Sequence, residues 1–79
     1  MVVNILFFGS TADIAETRSL NRHCKDEEKV SDLLGKLSQE YPALTNHKLL
    51  IAVNEEYADA DTILNDGDEI AVFTAVSGG

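Results

Sequence analysis

The sequence closes on Val76-Ser77-Gly78-Gly79, and a carboxylate carried on paired glycines is the group in this chain best suited to chemistry. Glycine has no Cβ, so such a tail is as thin and deformable as a polypeptide can be. It can thread a narrow channel and set its carboxylate inside another protein's active site. From Ala75 to Gly79 the reach is at most roughly 15–18 Å. The other reactive candidate is Cys24, the only cysteine. Alone it forms no internal disulfide and builds no cysteine-rich metal or iron–sulfur site. Its neighbours His23 and Lys25 could lower its pKa slightly, but the position reads as strand or loop without a chemical role. His23 and His47 lie far apart in sequence, and no metal site is expected.

A terminal acyl group needs a body that holds it up. Seventy-nine residues allow one small domain, and 44% apolar residues argue that it folds. No apolar run approaches the ~18–20 residues of a membrane span. Met1-Val2-Val3-Asn4-Ile5 lacks the basic start of a signal peptide, so a cytoplasmic location is expected. The net charge of −8 disfavours nucleic acid and anionic membranes, because no basic patch is present to neutralise phosphates. The acidic runs Asp26-Glu27-Glu28, Glu55-Glu56, Asp59-Ala60-Asp61 and Asp66-Gly67-Asp68-Glu69 read as solvated turns that would favour a basic partner.

Val2–Phe8 reads as a strand with Val3, Ile5 and Phe7 inward and Val2, Asn4, Leu6 and Phe8 outward. Gly9–Ile14 reads as a loop and Glu16–Cys24 as an edge strand returning in a hairpin. Val30, Leu33, Leu34, Leu37 and Tyr41 share one helix face, and Pro42 ends that helix by pushing Tyr41 out of the helical region. Gly35 inside it suggests a close approach to the sheet. Leu49–Val53 is a continuous apolar run, expected to be buried on both sides or central in the sheet. Tyr57-Ala58 is expected to pair briefly, and Asn65–Asp68 to turn tightly at Gly67. The last strand, Glu69–Ala75, puts Ile70 and Val72 inward and Phe73 outward. The fold expected is α+β: a mixed sheet with one main helix packed across one face. Residues 1–75 form the domain and residues 76–79 the tail.

These pieces resemble a family. Ile5-Leu6-Phe7-Phe8-Gly9, Glu40-Tyr41-Pro42, Val53-Asn54-Glu55-Glu56-Tyr57, Leu64-Asn65-Asp66-Gly67-Asp68-Glu69-Ile70-Ala71 and the closing Val76-Ser77-Gly78-Gly79 span nearly the whole chain in order. The chain resembles the small, sulfur-carrying subunits of molybdopterin synthase, of the MoaD type within the MoaD/ThiS ubiquitin-like family. The resemblance implies a β-grasp (ubiquitin-like) fold. It implies that Gly79 is adenylated, converted to a thiocarboxylate, and donates sulfur for the dithiolene of molybdopterin in molybdenum cofactor biosynthesis. Val76, Ser77 and Gly78 would line the way into the partner's site. Phe8 and Phe73, outward by alternation, would form a docking patch, to which the resemblance adds Tyr57.

The chain has no Gly-x-x-x-x-Gly-Lys-[Ser/Thr] loop with which to activate its own carboxylate. An ATP-using, ubiquitin-activating-like partner is therefore implied, as is the large catalytic subunit of the synthase. No cofactor is expected on this chain, and on its own it is not expected to be an enzyme. Two departures stand out. Thr74-Ala75 replaces prolines that the family often carries before the terminal motif, and Ser10-Thr11-Ala12-Asp13 lacks a basic residue often found after the first strand. The same tail would serve sulfur transfer to thiazole or tRNA, or a ubiquitin-like modifier joined to lysines through Gly79. A [2Fe–2S] carrier is excluded by the lone Cys24.

Overall fold

The computed structural model describes residues 1–75. A run rich in β-branched residues makes β1 (Val2–Phe7), where burial alternates along the strand and Val3, Ile5 and Phe7 are buried. The chain returns as β2 (Ser19–His23), antiparallel to β1 with Ile5 opposite Leu20. Between them runs a short helix, α1 (Ser10–Ala15), where a loop was expected. Gly9 at φ 59 turns the chain into it, and buried Thr11 and Ala15 draw one side of it onto the core. Six residues are too few to show a periodicity.

The main helix, α2 (Val30–Glu40), buries Val30, Leu33 and Leu37. Asp32 Oδ2 accepts a hydrogen bond from the Lys29 backbone N–H at 3.0 Å and caps its first turn. Tyr41 closes it, its N–H donating to Leu37 O, and its ring meets Phe7 edge-on at 6.1 Å. Pro42 then starts a 3₁₀ turn, Pro42–Asn46, that inserts Leu44 fully into the core. Gly35 is exposed and a Cβ there would meet nothing within 4 Å, so close helix–sheet approach is not its reason.

Three further strands follow: β3 (Leu49–Val53), β4 (Glu56–Tyr57) and β5 (Glu69–Thr74). The five strands lie in the order β2-β1-β5-β3-β4, with β1 and β5 parallel and the other pairs antiparallel. With α2 against one face, this is the β-grasp arrangement. The central strand is β5, not β3. Only Ile51 of β3 is buried, because the helix covers one face of the sheet and leaves the other open. Among the described residues no helix is long and apolar enough to cross a membrane.

Two acidic residues expected in solvated turns are buried, Glu28 and Asp68. Lys36 Nζ donates to Glu28 Oε1 at 2.6 Å. Asp68 accepts from Asn54 Nδ2 at 2.9 Å and from the Asn65 N–H at 2.7 Å.

Candidate functional site

Strand register decides what the open face offers. Leu6 pairs with Ala71 on β5, Ala71 with Ala52 on β3, and Ala52 with Tyr57 on β4. Side chains directly opposite share a face, so these four form one apolar row. Leu50 pairs with Phe73 in the next row. Phe8 extends β1 beside Phe73, its N–H donating to Val72 O at 3.2 Å. The Tyr57 and Phe73 rings lie 6.0 Å apart, tilted by 52°.

Exposure separates the three predicted docking aromatics. Phe8 is 51% exposed and Tyr57 78%, whereas Phe73 is half-buried. Phe73 is thus a supporting member of the patch, and the outermost rings are Phe8 and Tyr57. The structure brings Tyr57 against Phe73, and Phe8 beside Phe73 on the same face of the sheet.

Two polar devices hold these rings, and neither is visible as a motif. At the Phe8 end, the fully buried Thr11 hydroxyl sits 2.8 Å from Phe8 O and 2.7 Å from Val72 O, and accepts from the Phe8 N–H at 3.0 Å. A hydroxyl has one proton, so it donates to one of the two carbonyls at a time. It pins the ends of β1 and β5 together. At the Tyr57 end, Asn54 and Glu55 have φ of 51° and 70°. They form the tight two-residue link between β3 and β4 that a left-handed pair favours. The Asn54 side chain ties that link to β5: its Oδ1 accepts from the Glu69 N–H at 3.0 Å and its Nδ2 reaches Asp68.

The tail root is also defined. The Ala75 N–H donates to Lys48 O at 2.9 Å, one residue past the end of β5. Val76, Ser77, Gly78 and Gly79 lie outside the described residues. The open face therefore ends where the predicted reacting segment begins. An open concavity of about 610 Å³ lies at this end of the sheet, lined by Leu6, Phe8, Ala12, Asp13 and Arg18 among others.

Cys24 is buried in the loop after β2. Burial, then the hydrogen bond and negative charge of Glu28, push its thiol up to about 11. Thiolate is the nucleophilic form, so Cys24 is chemically quiet near neutral pH. Burial pushes the Glu28 carboxyl up, but hydrogen bonds from Lys36, Cys24 and the Lys25 backbone outweigh it and leave it below its ordinary value. Among the described residues, no group of three or more His, Cys, Asp or Glu side chains is disposed to hold a metal ion. His23 and His47 are exposed.

Set beside known proteins, the sequence matches the ThiS family over residues 5–79. It is 36% identical to the molybdopterin synthase sulfur carrier subunit of Mycobacterium tuberculosis, over 98% of this chain and 96% of that one. Its fold superposes on SAMP1 from Haloferax volcanii with a TM-score of 0.85 at 26% identity, covering 100% of both chains. It also matches a chain in the protein–protein complex of subunits 1 and 2 of molybdopterin-converting factor from Helicobacter pylori. There the TM-score is 0.69 at 29% identity, again over 100% of both chains.

Proposed function

The chain belongs to the ThiS family, and from that premise we propose that it is the sulfur carrier subunit of a cytoplasmic molybdopterin synthase. The observation that carries the reading is the meeting of two features at one end of the sheet. The apolar face holding Phe8, Phe73 and Tyr57 runs out at Ala75, and Val76-Ser77-Gly78-Gly79 follow it. The 36% identity to a sulfur carrier subunit over 98% of this chain supports it.

A carboxylate is a poor electrophile. An ATP-using, ubiquitin-activating-like partner joins the Gly79 carboxylate to AMP, releasing pyrophosphate. A sulfur donor then displaces AMP and leaves a thiocarboxylate on Gly79, whose ionised sulfur is nucleophilic. Inside the large subunit that sulfur passes to the pterin precursor, and the C–S bond of the carrier is hydrolysed back to a carboxylate. A dithiolene holds a pair of sulfurs, so more than one loaded carrier acts per product. Gly78 supplies slimness, Val76 and Ser77 line the channel, and Phe8, Tyr57 and Phe73 dock. The acid–base groups belong to the partner, and this chain binds no cofactor.

Intact mass tests the loading. Purified from cells containing its activating enzyme, the chain shows a population heavier by the difference between one sulfur and one oxygen. Deleting Gly79 leaves folding near normal and abolishes cofactor synthesis; a Gly79 deletion that still supports assembly refutes the carrier role. The likeness to SAMP1 favours one second reading, a modifier joined to lysines through Gly79. Isopeptide-linked conjugates in lysate, without any thiocarboxylate form, would establish that reading. Thiazole or tRNA thiolation would instead leave the thiocarboxylate in place and cofactor synthesis intact in a null strain.

A further inference from the structure

One edge of the sheet departs from the acidic character of the chain. Three of the six Lys and Arg residues, Arg18, Arg22 and Lys25, fall within residues 17–25, a stretch without Asp or Glu in a chain that carries 14 of them. That stretch contains β2, which ends the sheet and pairs with β1 alone. Arg22 is bonded to Glu40 of α2. Arg18 and Lys25 are exposed and have no ion-pair partner among the described residues.

The ladder to β1 decides which backbone groups of β2 are free. The Cys24 N–H donates to Met1 O at 2.8 Å, the Met1 ammonium donates to Cys24 O at 3.1 Å, and the Phe7 N–H donates to Arg18 O at 2.9 Å. Bonded and non-bonded pairs alternate along an antiparallel ladder. Leu20 and Arg22 therefore also bond to β1, and the N–H and C=O groups of Ser19, Asn21 and His23 point off the edge. The Thr17 hydroxyl covers Ser19, donating to its carbonyl at 2.9 Å and accepting from its N–H at 3.4 Å. Among the described residues nothing comparable covers Asn21 and His23. Each presents a free donor and a free acceptor, about 7 Å apart along the strand.

Such an edge is a template on which an extended segment adds as a strand. Arg18, Leu20 and Arg22 stand at every second position, on the side of β2 that faces α2, since Leu20 pairs with Ile5 and Arg22 with Val3. A second copy of this chain would set the same cations together across the new ladder, and like charges there oppose pairing.

We infer that the free edge of β2 takes an extended acidic segment of another protein as a sixth strand. The backbone of that segment bonds to Asn21 and His23. Its carboxylates, four residues apart, meet Arg18 and Arg22, and a small apolar side chain between them packs on Leu20. A guanidinium carries five donors, so Arg22 can hold a second carboxylate beside Glu40. Strands β1 and β5 separate β2 from β3, so an occupied edge leaves Ala75 and the Tyr57 and Phe73 rings uncovered. The inference is independent of the carrier reading.

Titration of the isotope-labelled full chain with the capped pentapeptide acetyl-Glu-Thr-Val-Thr-Glu-amide, followed by amide NMR, tests this. Saturable shifts should centre on the Asn21 and His23 amides, and exchange of those amides should slow. The Leu20 and Arg22 amides, already bonded to β1, should change little. Arg18→Gln/Arg22→Gln should weaken binding about three- to tenfold, as two exposed charge pairs allow, with the gap closing in high salt. Thermal melts check that the double variant folds, and Arg18→Gln, which breaks no ion pair, reads the same effect in smaller measure if it does not. A peptide methylated on the backbone nitrogens that face β2 should not bind, and neither should its lysine counterpart. Absence of saturable shifts at Asn21 and His23, or shifts centred instead on Phe8 and Phe73, overturns the inference. Equal binding of the methylated peptide overturns strand addition, and equal binding of the lysine peptide overturns the acidic occupant; the carrier reading survives each of these results.

Discussion

Thr11→Val isolates the device that holds the tail-exit end of the sheet. Valine matches threonine in shape and keeps its β-branching, so packing is preserved while the hydroxyl is lost. That hydroxyl is fully buried and bonded at 2.7–3.0 Å to Phe8 and Val72 backbone groups. One donated and one accepted bond vanish, each with a net worth of about 0.5–1.5 kcal/mol, for about 1–3 kcal/mol in total. The backbone is not wholly orphaned, since the Phe8 N–H keeps its own bond to Val72 O and the Thr11 N–H keeps Phe8 O; the middle of that range, about 2 kcal/mol, is expected. For a domain of this size each kcal/mol moves the melting temperature by roughly 4–8 °C, so Tm should fall by about 8–16 °C. Thermal and urea melts measure it, and Thr11→Ser, which keeps the hydroxyl and loses a buried methyl worth about 1 kcal/mol, is the control. Amide exchange at Phe8 should rise more than at Ile5. A Thr11→Val protein that melts within about 3 °C of the parent, or above Thr11→Ser, would show that the bonds carry no such weight.

Glu55→Gly should stabilise the fold. Glu55 sits at φ 70, where a side chain costs roughly 1–2 kcal/mol that glycine avoids, less glycine's extra unfolded-state entropy; the urea midpoint should rise by the equivalent of about 0.5–1 kcal/mol, and a fall would mean that the turn is not strained. Glu28→Gln should destabilise at neutral pH by about 1–2 kcal/mol, between the worth of an exposed and a buried pair, because Lys36 is itself half exposed. The Glu28 carboxyl lies below its ordinary value of 4.5 in the folded chain. Its contribution is therefore present above about 4.5 and lost as pH falls through the lowered folded value. The Tm gap between Glu28→Gln and the parent should narrow on acidification, and a gap that widens below pH 4.5 refutes the assignment.

What the sequence made legible follows from periodicity. The inward set Val3, Ile5, Phe7 and the pair Ile70, Val72 are buried as alternation requires, and the 3.6-residue spacing of Val30, Leu33 and Leu37 places α2. Gly67, at φ 83, was readable because only a turn explains Asp-Gly-Asp between apolar runs. The failures share a cause as well. A six-residue helix offers too few repeats to show a period, so the sequence of α1 reads as a loop. The run Leu49–Val53 is uniformly apolar, which fits two-sided burial equally well as an apolar open face. Glu28, Asp68 and Thr11 are buried by partners distant in the chain, such as Lys36, Asn54 and Val72. A spacing rule sees none of these pairings.

The departure at Thr74-Ala75 has a physical offset. A proline before the terminal motif would stiffen the exit by fixing φ, and it would also remove a backbone donor. Here the donor is kept and used: the Ala75 N–H makes the last backbone bond before the tail, to Lys48 O. The sheet ladder thus supplies the stiffness that a ring would otherwise provide, and supplies it two residues beyond Phe73. Covalent geometry then caps the reach of Gly79 at roughly 15–18 Å from Ala75. If Phe8 and Phe73 dock as proposed, their contact lies close to Ala75 and leaves almost no lever arm between the docked surface and the last described residue. A patch at the far end of the sheet, near Glu55 and Asp66, would multiply an error in docking angle along the whole strand length. On the carrier reading proposed above, the body's role is geometric: it would fix where the acyl-bearing segment starts, and the register of β5 against β3 sets the position of Ala75.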